Sequence, residues 1–157
     1  MKWVTRERAM VDRIACPWLI RRFIDPGAEF LYVPKERVLE VAQSEGAIPF
    51  DTPGAELHHF TVDGAEFVSF DAFLRKYDLK DPALLELAKI VRVADGGSGQ
   101  SAEAVGLAAA ARGFRALAKD DFENQRLQFP LYDALYAYCA QRLNENRSST
   151  GSPGSNS

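Results

Sequence analysis

The sequence predicts an α+β fold: a small, mainly antiparallel sheet with a β-hairpin, packed against a helix-rich C-terminal half. Three observations predict it. Short extended apolar runs alternate with helical spacing through the first half of the chain. Asp63-Gly64 stands between two four-residue segments that alternate apolar and polar character. Beyond Ser69, apolar residues recur at three- and four-residue spacing behind capping residues, with no further strand pattern.

Residues 3–5 form the first predicted strand. Val11, Ile14, Ala15, Trp18, Leu19 and Phe23 then recur at helical spacing, and Asp25-Pro26-Gly27 stops the run. Pro17 leaves two arrangements open: it kinks a longer helix, or it takes the first position of a shorter one with Cys16 as its cap. Residues 30–33 read as a strand ended by Pro34, residues 38–44 as a short helix closed by Gly46, and residues 48–50 as a brief extended piece. In the hairpin His59-Phe60-Thr61-Val62, Asp63-Gly64, Ala65-Glu66-Phe67-Val68, the turn residues accept positive φ. The register sets Val62 opposite Ala65 and Phe60 opposite Phe67 on one side, and Thr61 opposite Glu66 and His59 opposite Val68 on the other.

In the second half, Ser69 caps a helix to about Tyr77, and Asp81-Pro82 places a capping carboxylate before a first-turn proline. That helix runs to Asp95, and Gly96-Gly97-Ser98-Gly99 reads as a hinge; it lacks the lysine of a phosphate-binding loop. Ser101 caps an alanine-rich helix to about Ala118, in which Gly106, Ala109 and Gly113 permit close helix contact. Asp120 or Asp121 starts a last helix, interrupted at Pro130, with an apolar face of Leu131, Leu135, Tyr138, Tyr132, Tyr136 and Cys139. Residues 1–143 read as a single domain. Residues 144–157 carry no aliphatic or aromatic side chain and are expected to form a flexible tail.

A chain of 157 residues with 46% hydrophobic content supports one well-buried core. With 19 Lys+Arg against 22 Asp+Glu, its net charge of -3 lacks the basic footprint of direct nucleic-acid binding. Charges stand in the first eight residues where a signal peptide needs an apolar stretch, and no segment approaches membrane-spanning length, so a cytoplasmic location is expected. Cys16 and Cys139, the only cysteines, are then free thiols.

The segment from Asp12 to Phe23 concentrates Arg13, Arg21, Arg22, Cys16 and Trp18. At a helix start and beside guanidinium groups, Cys16 would have a lowered pKa and act as a nucleophile. The same amides and arginine forks, with Trp18 beside them, suit a small tetrahedral anion. His58 and His59 are the only histidines; the hairpin register puts His58 with Phe60 and Val62 and turns His59 to the polar side, for acid–base work or metal binding. Two histidines require carboxylates to complete a metal site. Glu56 and Asp95, or Glu123, are available, a set that suits iron or manganese better than structural zinc. Asp95 falls in register with Leu84, Ala88 and Val91, so it either caps the glycine-rich turn or points into a site.

These segments resemble the C-terminal domain of ChrB-type chromate-resistance proteins. The resemblance is carried by Asp12-Arg13-Ile14-Ala15-Cys16-Pro17-Trp18-Leu19-Ile20-Arg21-Arg22-Phe23-Ile24-Asp25, Ile48-Pro49-Phe50-Asp51, Glu56-Leu57-His58-His59, Ser69-Phe70-Asp71-Ala72-Phe73, Ile90-Val91-Arg92-Val93-Ala94-Asp95 and Leu131-Tyr132-Asp133-Ala134-Leu135-Tyr136. It implies a role in chromate response or resistance, a stress response, with a separate region supplying regulation. The family pattern implies a cysteine where Val68 stands here, so a His–Cys pair is missing. Three functions follow as expectations. The first is a domain that binds chromate or a similar anion through Arg13 with Arg21 or Arg22, near Cys16 and His59. The second is a small enzyme using iron, manganese or zinc on His59, Glu56 and Asp95, or using the Cys16 thiol. The third is an interaction module whose tyrosine helix pairs with a regulatory partner or a second copy.

Overall fold

In the computed structural model, which describes residues 1–150, the first strand is the element around which the others are laid. β1 (Lys2–Arg6) buries Trp3, Val4 and Thr5 in succession, so both of its faces are covered. β2 (Glu29–Val33) and β3 (Ile48–Pro49) flank it in the order β2-β1-β3, and both pair with it in parallel. α1 (Asp12–Leu19) and a π-helical turn (Ile20–Ile24) separate β1 from β2, and α2 (Val38–Glu45) separates β2 from β3. Parallel neighbours need such crossovers. The main sheet is therefore parallel, which corrects the expectation of a mainly antiparallel one.

The antiparallel pair is the hairpin alone, β4 (Phe60–Val62) and β5 (Ala65–Phe67), which forms a separate two-stranded sheet. Its register is the expected one: Phe60 pairs with Phe67, Thr61 with Glu66 and Val62 with Ala65, across Asp63 at φ 50 and Gly64 at φ 82. His59 and Val68 lie just beyond this ladder.

Four helices complete the chain: α3 (Ser69–Lys76), α4 (Pro82–Ala94), α5 (Ala102–Leu117) and α6 (Asp121–Thr150). Asp81, Ser101 and Asp120 each accept a hydrogen bond from a first-turn amide, as their sequence positions suggest. α3 differs. Its cap is Val68, whose amide donates to Asp71 Oδ2, and the Ser69 hydroxyl is turned elsewhere. α6 passes Pro130 without a break and carries residues 144–150 of the expected tail, while residues 151–157 lie outside the described residues. The main core joins Trp3, Ile14, Trp18, Phe50, Phe70, Phe73, Leu84, Leu87 and Tyr132. A smaller cluster of Val4, Val38, Val41 and Ala47 covers the other face of β1. Among the described residues no helix is long and apolar enough to cross a membrane.

Two details tighten this frame. Pro17 lies inside α1, the first of its two arrangements, and has no N–H to offer the Arg13 carbonyl one turn back. The Tyr32 hydroxyl donates to that carbonyl at 2.8 Å and accepts from Gln125 Nε2 at 2.8 Å, so β2 and α6 supply what the helix lost. The glycine-rich turn after α4 is a clamp, not a free hinge. Ser98 N donates to Glu66 O at 2.9 Å, and Glu66 N donates to Ser98 Oγ at 2.8 Å. A Cβ on Gly97 would meet Glu66 O at 3.0 Å and Arg92 Cγ at 2.7 Å. Gly106 and Gly113, expected at a helix contact, instead face open space.

Tyr32→Phe removes the hydroxyl that donates to the part-buried Arg13 carbonyl, and is expected to cost about 1–3 kcal/mol of unfolding free energy in urea titrations with the slope unchanged.

Candidate functional site: a carboxylate–imidazole centre

Asp12 opens α1 with only 1% of its surface exposed. Its carboxylate is aimed at the first turn of α3: Oδ2 accepts from Ser69 N at 2.8 Å and Oδ1 from Phe70 N at 3.1 Å. One side chain of α1 thus satisfies two free amides of another helix and sits at the positive end of its dipole. The Cys16 thiol, one turn along α1, donates to the same Oδ1 at 3.3 Å.

Asp51 follows β3 with φ 52, in the left-handed region that aspartate enters more readily than most non-glycine residues, and here its surroundings fix it. Its amide donates to Leu57 O at 2.8 Å, Arg6 Nε donates to its carbonyl at 3.3 Å, and Ser69 Oγ donates to its Oδ1 at 2.7 Å. Arg13 Nε lies 3.4 Å from Oδ2. Asp95 ends α4 and brings Oδ1 within 3.4 Å of the Asp12 amide.

His59, at the foot of the hairpin, closes the cluster. Its Nε2 lies 3.2 Å from Asp51 Oδ1, 3.4 Å from Asp95 Oδ2 and 3.6 Å from Asp12 Oδ2. The carboxylates of Asp12, Asp51 and Asp95 around Nε2 raise its pKa far above the usual histidine range. Burial, then the charge of Asp95, pushes the Asp12 carboxyl up. The imidazole is therefore a cation at neutral pH, standing where three acids need positive charge. His58 stacks on it at 5.1 Å and keeps a lowered pKa through burial; its buried Nδ1 has no hydrogen-bond partner among the described residues.

Asp12, His59 and Asp95 each offer one ligand atom, and these atoms lie within 4.8 Å of one another. Two oxygens and one imidazole nitrogen form a donor set for a first-row dication such as Mn²⁺ or Fe²⁺. Three protein donors leave open positions on such an ion. His59 and Asp95 also line a crevice of about 220 Å³ that runs between the hairpin and the glycine-rich turn.

The expected site residues divide. Arg13 reaches the centre, but its guanidinium is already committed to Asp51 and to the carbonyls of Arg6 (3.2 Å) and Glu7 (2.9 Å). Cys16 is fully buried, and burial followed by the nearby carboxylates raises its pKa well above that of a free thiol. The expectation of a lowered pKa is corrected: Cys16 is in the helix interior facing acids, not at a cap facing arginines. Arg21 donates to Ala28 O and stacks between Phe30 and Phe129. Arg22 and the Trp18 indole share the Asp133 carboxylate. Glu56 is exposed and paired with Lys76 at 2.8 Å, outside the carboxylate group around His59. The tyrosines of the last helix are engaged within the chain, Tyr132 with Val11 O, Tyr136 with Asp81 and Tyr138 with Glu103.

Asp12, Asp51 and Ser69 are members that sequence reasoning missed. The available signal for Asp12 was an acid on the apolar stripe of α1, and for Asp51 an acid directly after a core phenylalanine.

A family model described as the C-terminal domain of ChrB matches residues 3–139. Protein ChrB of Cupriavidus metallidurans (strain CH34) is 37% identical over 139 residues, which cover 87% of this chain and 40% of that protein. The chain thus spans less than half the length of this relative. No solved structure matches it.

Asp12→Ala strands two helix amides and leaves His59 with fewer partners; a loss of about 3–5 kcal/mol is expected in chemical denaturation. A thiol reagent added to the native protein should leave Cys16 unmodified at neutral pH and label it only after denaturation, as mass spectrometry of the labelled peptide would read.

Proposed function

Because the chain belongs to the ChrB C-terminal-domain family, a chromate-resistance family, we propose that it serves chromate resistance or response through a divalent-cation centre on Asp12, His59 and Asp95. The convergence of three carboxylates on His59 Nε2 carries this reading. The positive groups near these acids are already engaged by them, Arg13 by Asp51 and the imidazolium by all three, so the bare centre offers a dianion no free cation. Chromate bound directly between Arg13, Cys16 and His59 would have to displace Asp51 from Arg13. A dication relieves the same crowding.

The chain's own groups prepare for it. Ser69 and Phe70 amides hold Asp12 at a fixed angle, Ser69 Oγ and Arg13 hold Asp51, and the Gly97 clamp fixes the turn that carries Asp95. Cys16 keeps its proton in a hydrogen bond to Asp12, which leaves oxygen and nitrogen as the donors and favours manganese or iron over thiolate-bound zinc. Asp51 stays beside the ion as a neutralising charge. A bound dication supplies a positive centre and a Lewis acid at the inner end of the crevice.

The test is calorimetric titration of metal-free protein with Mn²⁺, Fe²⁺ and Zn²⁺. One equivalent of Mn²⁺ or Fe²⁺ is expected to bind, and His59→Ala and Asp95→Ala to weaken binding by about tenfold or more. Wild-type affinity in both variants would refute the assignment. The pH dependence has a definite sign. The folded-state pKa values of His59 and Asp12 are both raised, so the folded protein holds protons that the unfolded chain releases. Stability of the metal-free protein should fall as pH rises from about 6 to about 9. Bound Mn²⁺ replaces a proton on His59, so its stabilising effect on the melting temperature should grow over the same range.

A further inference from the structure

Next to the centre lies a cleft of about 450 Å³ between the loop before β4 and helix α3, and His59 belongs to both. Two of its lining residues, Phe60 and Arg75, belong to a stack of four groups. Phe60 and Phe67 lie face to face at 5.0 Å with 7° between their rings, Arg75 covers Phe60 at 4.6 Å, and Arg92 covers Phe67 at 4.7 Å. The two arginines differ in one respect. Arg92 makes a two-bond pair with Asp71 at 3.0 and 2.7 Å, whereas Arg75 has no carboxylate partner among the described residues. Lys76, beside it, is already neutralised by Glu56 at 2.8 Å. Arg75 is thus a guanidinium held over an aromatic face, with no hydrogen-bond partner for its edge among the described residues, in a cleft that His59 also lines. That combination is suited to oxygen anions.

We propose that this cleft is an anion subsite of the cation centre, taking a small dianion with oxygen donors, held at one end by Arg75 and at the other by the bound dication. The inference rests on the cation reading above. Charge dictates the order of binding. Without the dication, Arg13 is engaged by Asp51 and His59 Nε2 by three carboxyl groups, so the centre offers an anion no free cation. With it, the inner end has open coordination positions, while Arg75 attracts from outside. The volume lies in the range of small-molecule sites and admits an organic dianion as readily as an inorganic one.

Water-proton relaxation of the Mn²⁺-loaded protein tests this, because an anion entering the metal's coordination sphere displaces relaxing water. Sulfate, as a redox-inert tetrahedral dianion, and oxalate, as a planar chelating one, are titrated separately. The expected result is a saturable fall in relaxation enhancement with at least one of them, and the more effective probe identifies the ligand's shape. Arg75→Gln is expected to weaken that anion by about 10- to 100-fold, Arg75→Lys by less, while Mn²⁺ affinity measured without anion stays as in wild type. Bound Mn²⁺ whose relaxation responds to neither anion, or responds equally in Arg75→Gln, would overturn the subsite and leave the cation centre standing. Absence of Mn²⁺ binding would remove the centre and the subsite together.

Discussion

The carboxylate of Asp12 receives the first amides of α3, the thiol of Cys16 and the approach of His59, while its own backbone amide meets Asp95. Two helices, the end of a third and the foot of the hairpin therefore meet at one buried acid. A buried carboxylate is tolerated only when its lone pairs are filled and its charge is balanced. Here helix amides and a thiol fill the lone pairs, and the imidazolium balances part of the charge. The same requirement makes the place a functional candidate, since acids forced together in a partly closed space favour a cation.

The hairpin and the glycine-rich turn form a layer over this acid. His59 and Asp95, the candidate ligands that border the crevice, belong to that layer, and Asp12 and Asp51 belong to the body beneath it. Backbone pairing of Glu66 with Ser98, with no room for a side chain at Gly97, ties the two parts of the layer to each other. An ion bridging His59, Asp95 and Asp12, as proposed, would tie the layer to the body and so couple occupancy of the centre to order of the hairpin.

Local signals in the chain read well where the determining forces were local. Asp63-Gly64 set the hairpin register, and Asp81, Ser101 and Asp120 marked the helix starts. Signals failed where a partner came from far along the chain. Ser69 had the composition of a cap, but Asp71 serves Val68 and Asp12 serves the α3 amides from 57 and 58 residues away. The chemistry of Cys16 changed sign for the same reason: neighbours in sequence are arginines, neighbours in space are carboxylates.

By itself the sequence determined the α+β character, the order of the elements, the hairpin pairing and the candidacy of His59 and Asp95, because periodicity, turn chemistry and the scarcity of histidine act over a few residues. Only the tertiary structure decided that the main sheet is parallel, that Arg21, Arg22, Trp18 and Glu56 serve other contacts, and that Asp12 and Asp51 join His59. Those outcomes depend on which distant surfaces bury one another, and a carboxylate in a linear chain carries no mark of the helix end or imidazole that it will meet once the core closes.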